Sequence, residues 1–198
     1  MKFIIATNNA KKLKELERIL KPLGINAVTA KEAGIILDDV EETGETFADN
    51  AYLKAKSAFE KSGLPAIADD SGLCVDALGG KPGVFSARYG GENATDEDKN
   101  NIILSEMKDV PLEQRNAHFS CAICCILSDS LKIEVEGICN GTIGYEPVGD
   151  GGFGYDPIFM CGEKSYAQLT AEEKDAVSHR GQALVKLQTE LKKYLNNI

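Results

Sequence analysis

Two adjacent carboxylates, Asp69 and Asp70, follow directly on an apolar run, Leu64-Pro65-Ala66-Ile67-Ala68. A run of that length reads as a buried strand. Neighbouring side chains on a strand point to opposite faces, and Ser71-Gly72 is expected to turn the chain just after the acids. One carboxylate then faces a cleft while backbone holds the other. Unpaired acids beside a core are costly, so the pair needs compensation. A divalent cation carrying phosphate oxygens would supply it. The alternative is a plain turn whose aspartates accept from nearby N–H groups.

Length and charge narrow the class. The chain has 198 residues, 43% of them hydrophobic, which suits one large domain or two lobes sharing a core. No repeat or linker divides it, so residues 1–198 are read as a single domain without a visible boundary. No apolar stretch reaches bilayer-spanning length, so no membrane partner is expected. The opening residues read as a strand rather than a leader, which makes a cytoplasmic location the expectation. Cys121, Cys124 and Cys125 lie in an apolar run and are read as reduced, buried side chains. A net charge of −9 repels nucleic-acid polymers, yet a small polyanion can bind where cations converge and a metal helps.

Periodicity orders the elements. Residues 2–6 read as a strand, 9–20 as a helix with Asn9 at its cap, and 25–29 as a second strand. Thr46 caps a helix that Gly63 ends. A short strand over 66–68 and the acidic turn follow, with a further strand at 74–77. Residues 79–94 form a glycine-rich loop, and Thr95 starts a helix to about residue 107. Residues 116–127 and 131–145 read as an antiparallel pair, and 146–155 as another glycine-rich loop. Thr170 with Glu173 fits a capping box, and Ser178 caps the final helix. Helices alternating with strands, then a long hairpin, predict an α/β fold with a mixed sheet.

Five segments can carry chemistry. Thr7-Asn8-Asn9-Ala10-Lys11-Lys12 joins the first strand to the first helix. A helix start offers free N–H groups to an anion, and Lys12 reaches the same place; solvated lysines behind an ordinary cap are the plain reading. Asp70 beside Asp69 can ligate a metal or act as a general base. Glu41-Glu42-Thr43-Gly44 gains interest as a second carboxylate source. Residues 149–154 match G-x-G-x-x-G formally, but Tyr155-Asp156-Pro157 is a poor helix start and the dinucleotide reading fails. A glycine-flanked aromatic pair can instead face a base, or Phe153 is simply core. Lys174 with Ser178-His179-Arg180-Gly181 puts cations at a helix N-terminus, where the dipole disfavours them unless a ligand compensates.

These segments, in this order, resemble the inosine/xanthosine triphosphate pyrophosphatase family. The likeness rests on Thr7-x-Asn9-x-x-Lys12, Glu41-Glu42-Thr43-Gly44, Asn50 with Lys54, Asp69-Asp70-Ser71-Gly72, Leu78-Gly79-Gly80-x-Pro82-Gly83, Ser86-Ala87-Arg88-Tyr89, Phe153-Gly154-Tyr155-Asp156-Pro157 and Ser178-His179-Arg180-Gly181. Asn8 departs from it, since many members have glycine there. The resemblance implies hydrolysis of ITP, dITP and XTP to monophosphate and pyrophosphate with magnesium. It implies a homodimer whose subunits have two lobes around a long cleft and an elongated central sheet with flanking helices. It makes Asp70 the proton acceptor and a metal ligand, with Glu41 ahead of Glu42 as the second metal carboxylate. Thr7, Asn8, Asn9, Ala10, Lys11 and Lys12 would hold the phosphates, helped by Ser71. Phe153, Gly154, Tyr155, Asp156, Lys174, His179 and Arg180 would surround the nucleoside. The alternative is a related enzyme acting on pyrimidine or modified nucleotides.

Overall fold

The computed structural model describes residues 2–7, 10–36 and 40–195. The described strands form one mixed sheet of seven, ordered β2-β1-β3-β4-β5-β6-β7. They are β1 (Lys2–Ile5), β2 (Asn26–Thr29), β3 (Ala66–Val75), β4 (Asn116–Ser128), β5 (Leu131–Ile143), β6 (Phe159–Cys161) and β7 (Lys164–Ser165). The chain forms two compact units. The first comprises Met1–Asp70, Cys121–Gly137 and Gln182–Ile198, and the second Ser71–Ser120 and Ile138–Gly181.

In the first unit β1 pairs in parallel with both β2 and β3, in register Phe3↔Ala27 and Ile4↔Ala66. Strand alternation sorts the sheet into two faces. Phe3, Ile5 and Ile67 lie on one, packed with Leu16 and Leu20 of α1 (Ala10–Leu20) and Leu184, Leu187 and Leu191 of the last helix. Ile4, Ala66 and Ala68 lie on the other, against Ala51, Ala55 and Ala58 of α2 (Phe47–Ser62). Alanines on that helix face let its backbone approach the sheet closely. Thr46 caps α2 as expected, Asp49 closing a capping box with it, and Gly63 ends the helix at φ +64°.

The second unit is built around Leu73, Val75, Ile103, Met107, Phe119, Ile143, Phe159 and Tyr166. Ile103 belongs to α3 (Asp96–Glu106), capped by Thr95 with Asp98. The guanidinium of Arg115 is buried there and donates to the carbonyls of Met107, Val110, Ile143 and Gly144. α4 (Ala171–Val177) opens on the expected Thr170–Glu173 box. The last helix is α5 (His179–Leu195), where the hydroxyl of Ser178 accepts from the Gly181 N–H at 3.0 Å. Gly181 has no room for a side chain, because a Cβ would sit 1.9 Å from the Asp175 carbonyl oxygen.

Two sequence readings are corrected. The chain does not turn at the acid pair: β3 runs unbroken from Ala66 to Val75, through both aspartates. The expected separate strand at 74–77 is the end of β3 followed by a 3-10 turn, Asp76–Leu78. The loop at 79–94 also contains a 3-10 helix, Gly83–Arg88. Asp129-Ser130 joins β4 to β5, adjacent in the sheet, and a two-residue connection requires them to be antiparallel, as expected. The three cysteines of β4 are buried as expected, and burial pushes the Cys124 thiol up to about 12.

Candidate active site

Because β3 continues through the acids, its pleat sends them to opposite faces. Asp69 shares a face with Ile67 and meets α1, where Lys12 Nζ lies 3.0 Å from its carboxylate. Asp70 shares a face with Ala68 and meets α2. Lys54 Nζ lies 2.8 Å from Asp70 Oδ1, and Asn50 Nδ2 donates to Oδ2 at 3.3 Å. Asn50 and Lys54 stand one turn apart on α2, so one helix face presents both to the same carboxylate. Lys54 also pairs with Glu42 Oε1 at 3.0 Å. The loop bearing Glu42 is anchored by the Gly44 N–H, which donates to Asn50 Oδ1 at 2.8 Å. A side chain at Gly44 would collide with that oxygen, which accounts for a glycine two residues after Glu42.

The electrostatics of this cluster follow from its burial. Burial raises the pKa of the Asp70 carboxyl; Lys54 pulls it back, Glu42 adds to the rise, and the net is upward. Burial alone would lower the Lys54 ammonium, but the charges of Asp70, Asp69 and Glu42 outweigh it and hold it up. Lys54 thus stands between two carboxylates. No group of three or more acids, histidines or cysteines among the described residues gathers to hold a metal by itself; Asp70 and Glu42 could supply only the one or two carboxylates that a hard divalent cation takes alongside waters and phosphate oxygens.

A second group lies in the second unit. His179 is buried and stacks on Phe119 at 4.7 Å and 10°, and Phe119 stacks in turn on Tyr166 at 5.6 Å and 3°. Arg180, also buried, donates to Ser71 Oγ at 2.9 Å. Lys174 pairs with Asp156 at 2.6 Å and sits 4.9 Å from the Phe153 ring centre and 5.4 Å from that of Tyr166. Asp156 also accepts the Phe153 N–H at 2.8 Å. Tyr155 turns inward and donates its hydroxyl to the Ser86 carbonyl at 2.9 Å.

Most of the residues singled out from sequence fall into one of these two groups. Lys12 and Asp70 belong to the first; Ser71, Phe153, Asp156, Lys174, His179 and Arg180 belong to the second. Gly154 adopts φ +61° and Tyr155 anchors the same loop from below. Thr7 lies just after β1, and Ala10 and Lys11 open α1; Asn8 and Asn9 lie outside the described residues. Glu41 is exposed, whereas Glu42 is the acid that shares a lysine with Asp70. The partners of Asp70 on α2, the salt bridge of Asp69, and the rings of Phe119 and Tyr166 were not assigned roles from sequence. Asn50 and Lys54 leave one trace there: polar side chains interrupting an alanine face.

Comparison with known proteins gives the family. The sequence profile of the Ham1 family matches residues 3–190. The chain belongs to the Ham1 family. It is 50% identical over 187 residues to a dITP/XTP pyrophosphatase of Shigella flexneri, covering 92% of this chain and 94% of that one. Among solved structures it is similar to a HAM1 protein from Coxiella burnetii, with TM-score 0.90, 41% identity, and coverage of 98% of this chain and 99% of the other. The Ham1 protein of Staphylococcus aureus gives TM-score 0.88 at 37% identity, covering 98% and 100%. No helix among the described residues is long and apolar enough to cross a membrane.

Proposed function

We propose that this chain hydrolyses dITP, XTP and ITP to the nucleoside monophosphate and pyrophosphate. One observation carries the reading. A chain half identical to a dITP/XTP pyrophosphatase over nearly its full length has a buried aspartate, Asp70, held with Glu42 around a lysine.

In this reading Asp70 accepts the proton of the water that attacks between the α and β phosphates. Its raised pKa suits it to that task better than an ordinary carboxylate. Lys54 orients Asp70 and offsets the charge of the acids. Asp69, pinned by Lys12, fixes the start of α1, where Thr7 to Lys12 hold the phosphates by backbone N–H groups and ammonium. Asp70 with an acid of the Glu41-Glu42 pair would hold magnesium, and Glu42 is the better placed of the two. When bound, the ion neutralises charge on the phosphate oxygens, the main demand of phosphoryl chemistry.

The second group reads the nucleoside. Phe153 offers a ring face to the base. Lys174 and Arg180 can only donate hydrogen bonds, so they accept a 6-keto oxygen and leave a 6-amino group without a partner. Such mismatches discriminate strongly. The resemblance also supports a homodimer, which light scattering in solution reads.

The test is pyrophosphate release across a panel of nucleoside triphosphates, with and without magnesium. Turnover of dITP and XTP well above dATP, abolished by chelation, is expected. Preference for dTTP or UTP, or release of orthophosphate, would overturn the reading.

A further inference from the structure

The loop bearing Phe153 is gripped by a helix that takes no part in the chemistry above. The Gly154 N–H donates to Asp96 Oδ2 at 2.7 Å, and the Gly154 carbonyl accepts from Asn100 Nδ2 at 3.1 Å. Asp96 and Asn100 are one turn apart on α3, so a single helix face holds both backbone polar groups of one residue, Gly154. Asn100 is buried, and its own Oδ1 has no hydrogen-bond partner. A buried amide that leaves an acceptor unsatisfied is a poor choice for stability alone. Its donor has a specific use.

That use lies in what precedes Gly154. Phe153 is fixed on its other side, where its N–H donates to Asp156 Oδ2, and Asp156 is paired with Lys174. Gly152 and Gly154 both take positive φ, and a Cβ at Gly152 would lie 2.0 Å from Asp156 Oδ2. The backbone at Phe153 thus departs from ordinary geometry on both flanks, and polar partners hold it there.

We propose that Asn100 and Asp96 are positioning residues for the base-recognition loop: by gripping the Gly154 backbone, α3 sets where the Phe153 ring stands. This rests on the reading that Phe153 faces the base. A lost grip weakens recognition of the base and leaves proton transfer at Asp70 intact, so KM rises while kcat holds.

The experiment compares N100L, D96A, D96N and F153A with the native enzyme on dITP, with inorganic tripolyphosphate as a competitor that lacks a base. N100L and D96A are each expected to raise KM for dITP about tenfold, the loss of one hydrogen bond from an enclosed site. Their kcat and inhibition by tripolyphosphate should stay within about twofold. D96N keeps the acceptor for Gly154 and should restore KM to within about twofold of native. F153A should raise KM as well. If F153A raises KM but N100L and D96A do not, the grip is unnecessary and the proposal falls while the base reading stands. If F153A also leaves KM unchanged, the base reading falls and takes the proposal with it. A drop in melting temperature and kcat at unchanged KM assigns the residues a purely structural role and equally overturns it. Should N100L not fold, D96A decides, because the Asp96 side chain is half exposed.

Discussion

The first unit gathers acids around two lysines, and the second stacks rings beside its own buried charges, Arg115, Asp156 and Arg180. Around Asp70 the described groups are three acids, Glu42, Asp69 and Asp70, against two lysines, Lys12 and Lys54. Taking such groups out of water costs free energy that their pairing only partly returns, and the upward shift of Asp70 reports that cost directly. Around Phe119, by contrast, Tyr166 and His179 lie within 10° of coplanar with it, in contacts that stabilise the fold. In the proposed function the acid cluster is the part that meets the charge of a ligand, while the stacked rings hold the second unit together. Neutralising Asp70, whose burial outweighs its pairing, should cost activity without costing stability. Removing a member of the second should cost stability first.

The largest effect tests the first half of this contrast. D70N should cut pyrophosphate release about a thousandfold, the scale of a lost general base, while its melting temperature equals or exceeds that of the native protein. F119A tests the other half. Truncating a buried aromatic should cost about 3–5 kcal/mol in denaturant unfolding, and a loss under about 1 kcal/mol would show that the stack is not a source of stability. T95A should cost about 1 kcal/mol in denaturant unfolding by removing the cap of α3. The smallest effect is a trend with pH. The native Asp70 carboxyl holds its proton more tightly than the ordinary carboxyl of the unfolded chain, whose pKa is 3.8. Native stability therefore falls as pH rises from that value through the higher folded one. D70N lacks this group, so its advantage in melting temperature should widen across that window and then level off. A constant or shrinking advantage in paired melts would mean that Lys54 outweighs burial.

What could be seen in sequence was local. The Thr46 box with its Gly63 stop, and the Ser178 cap of α5, depend on residues a few positions apart. The continuation of β3 was hidden because Asp-Asp-Ser-Gly has the composition of a turn. Tertiary partners overrule that preference: Lys12 satisfies one acid from α1, and Lys54 with Asn50 the other from α2. Glu41 and Glu42 are equivalent as letters. The Gly44–Asn50 hydrogen bond, which no periodicity announces, anchors the loop in which Glu42 meets Lys54 and Glu41 is exposed. Phe119 and Tyr166 are core side chains, and no short-range pattern announces that Phe119 stacks on His179 or that Tyr166 lies beside Lys174.

The account's central claim is that Asp70, on the α2 face of an unbroken strand, serves hydrolysis between the α and β phosphates. The most direct measurement is the product balance from ITP in magnesium, for the native chain and for D70N of verified fold. Equimolar IMP and pyrophosphate from the native chain, with almost none from D70N, is expected. IDP with orthophosphate, or undiminished IMP from D70N, would contradict it.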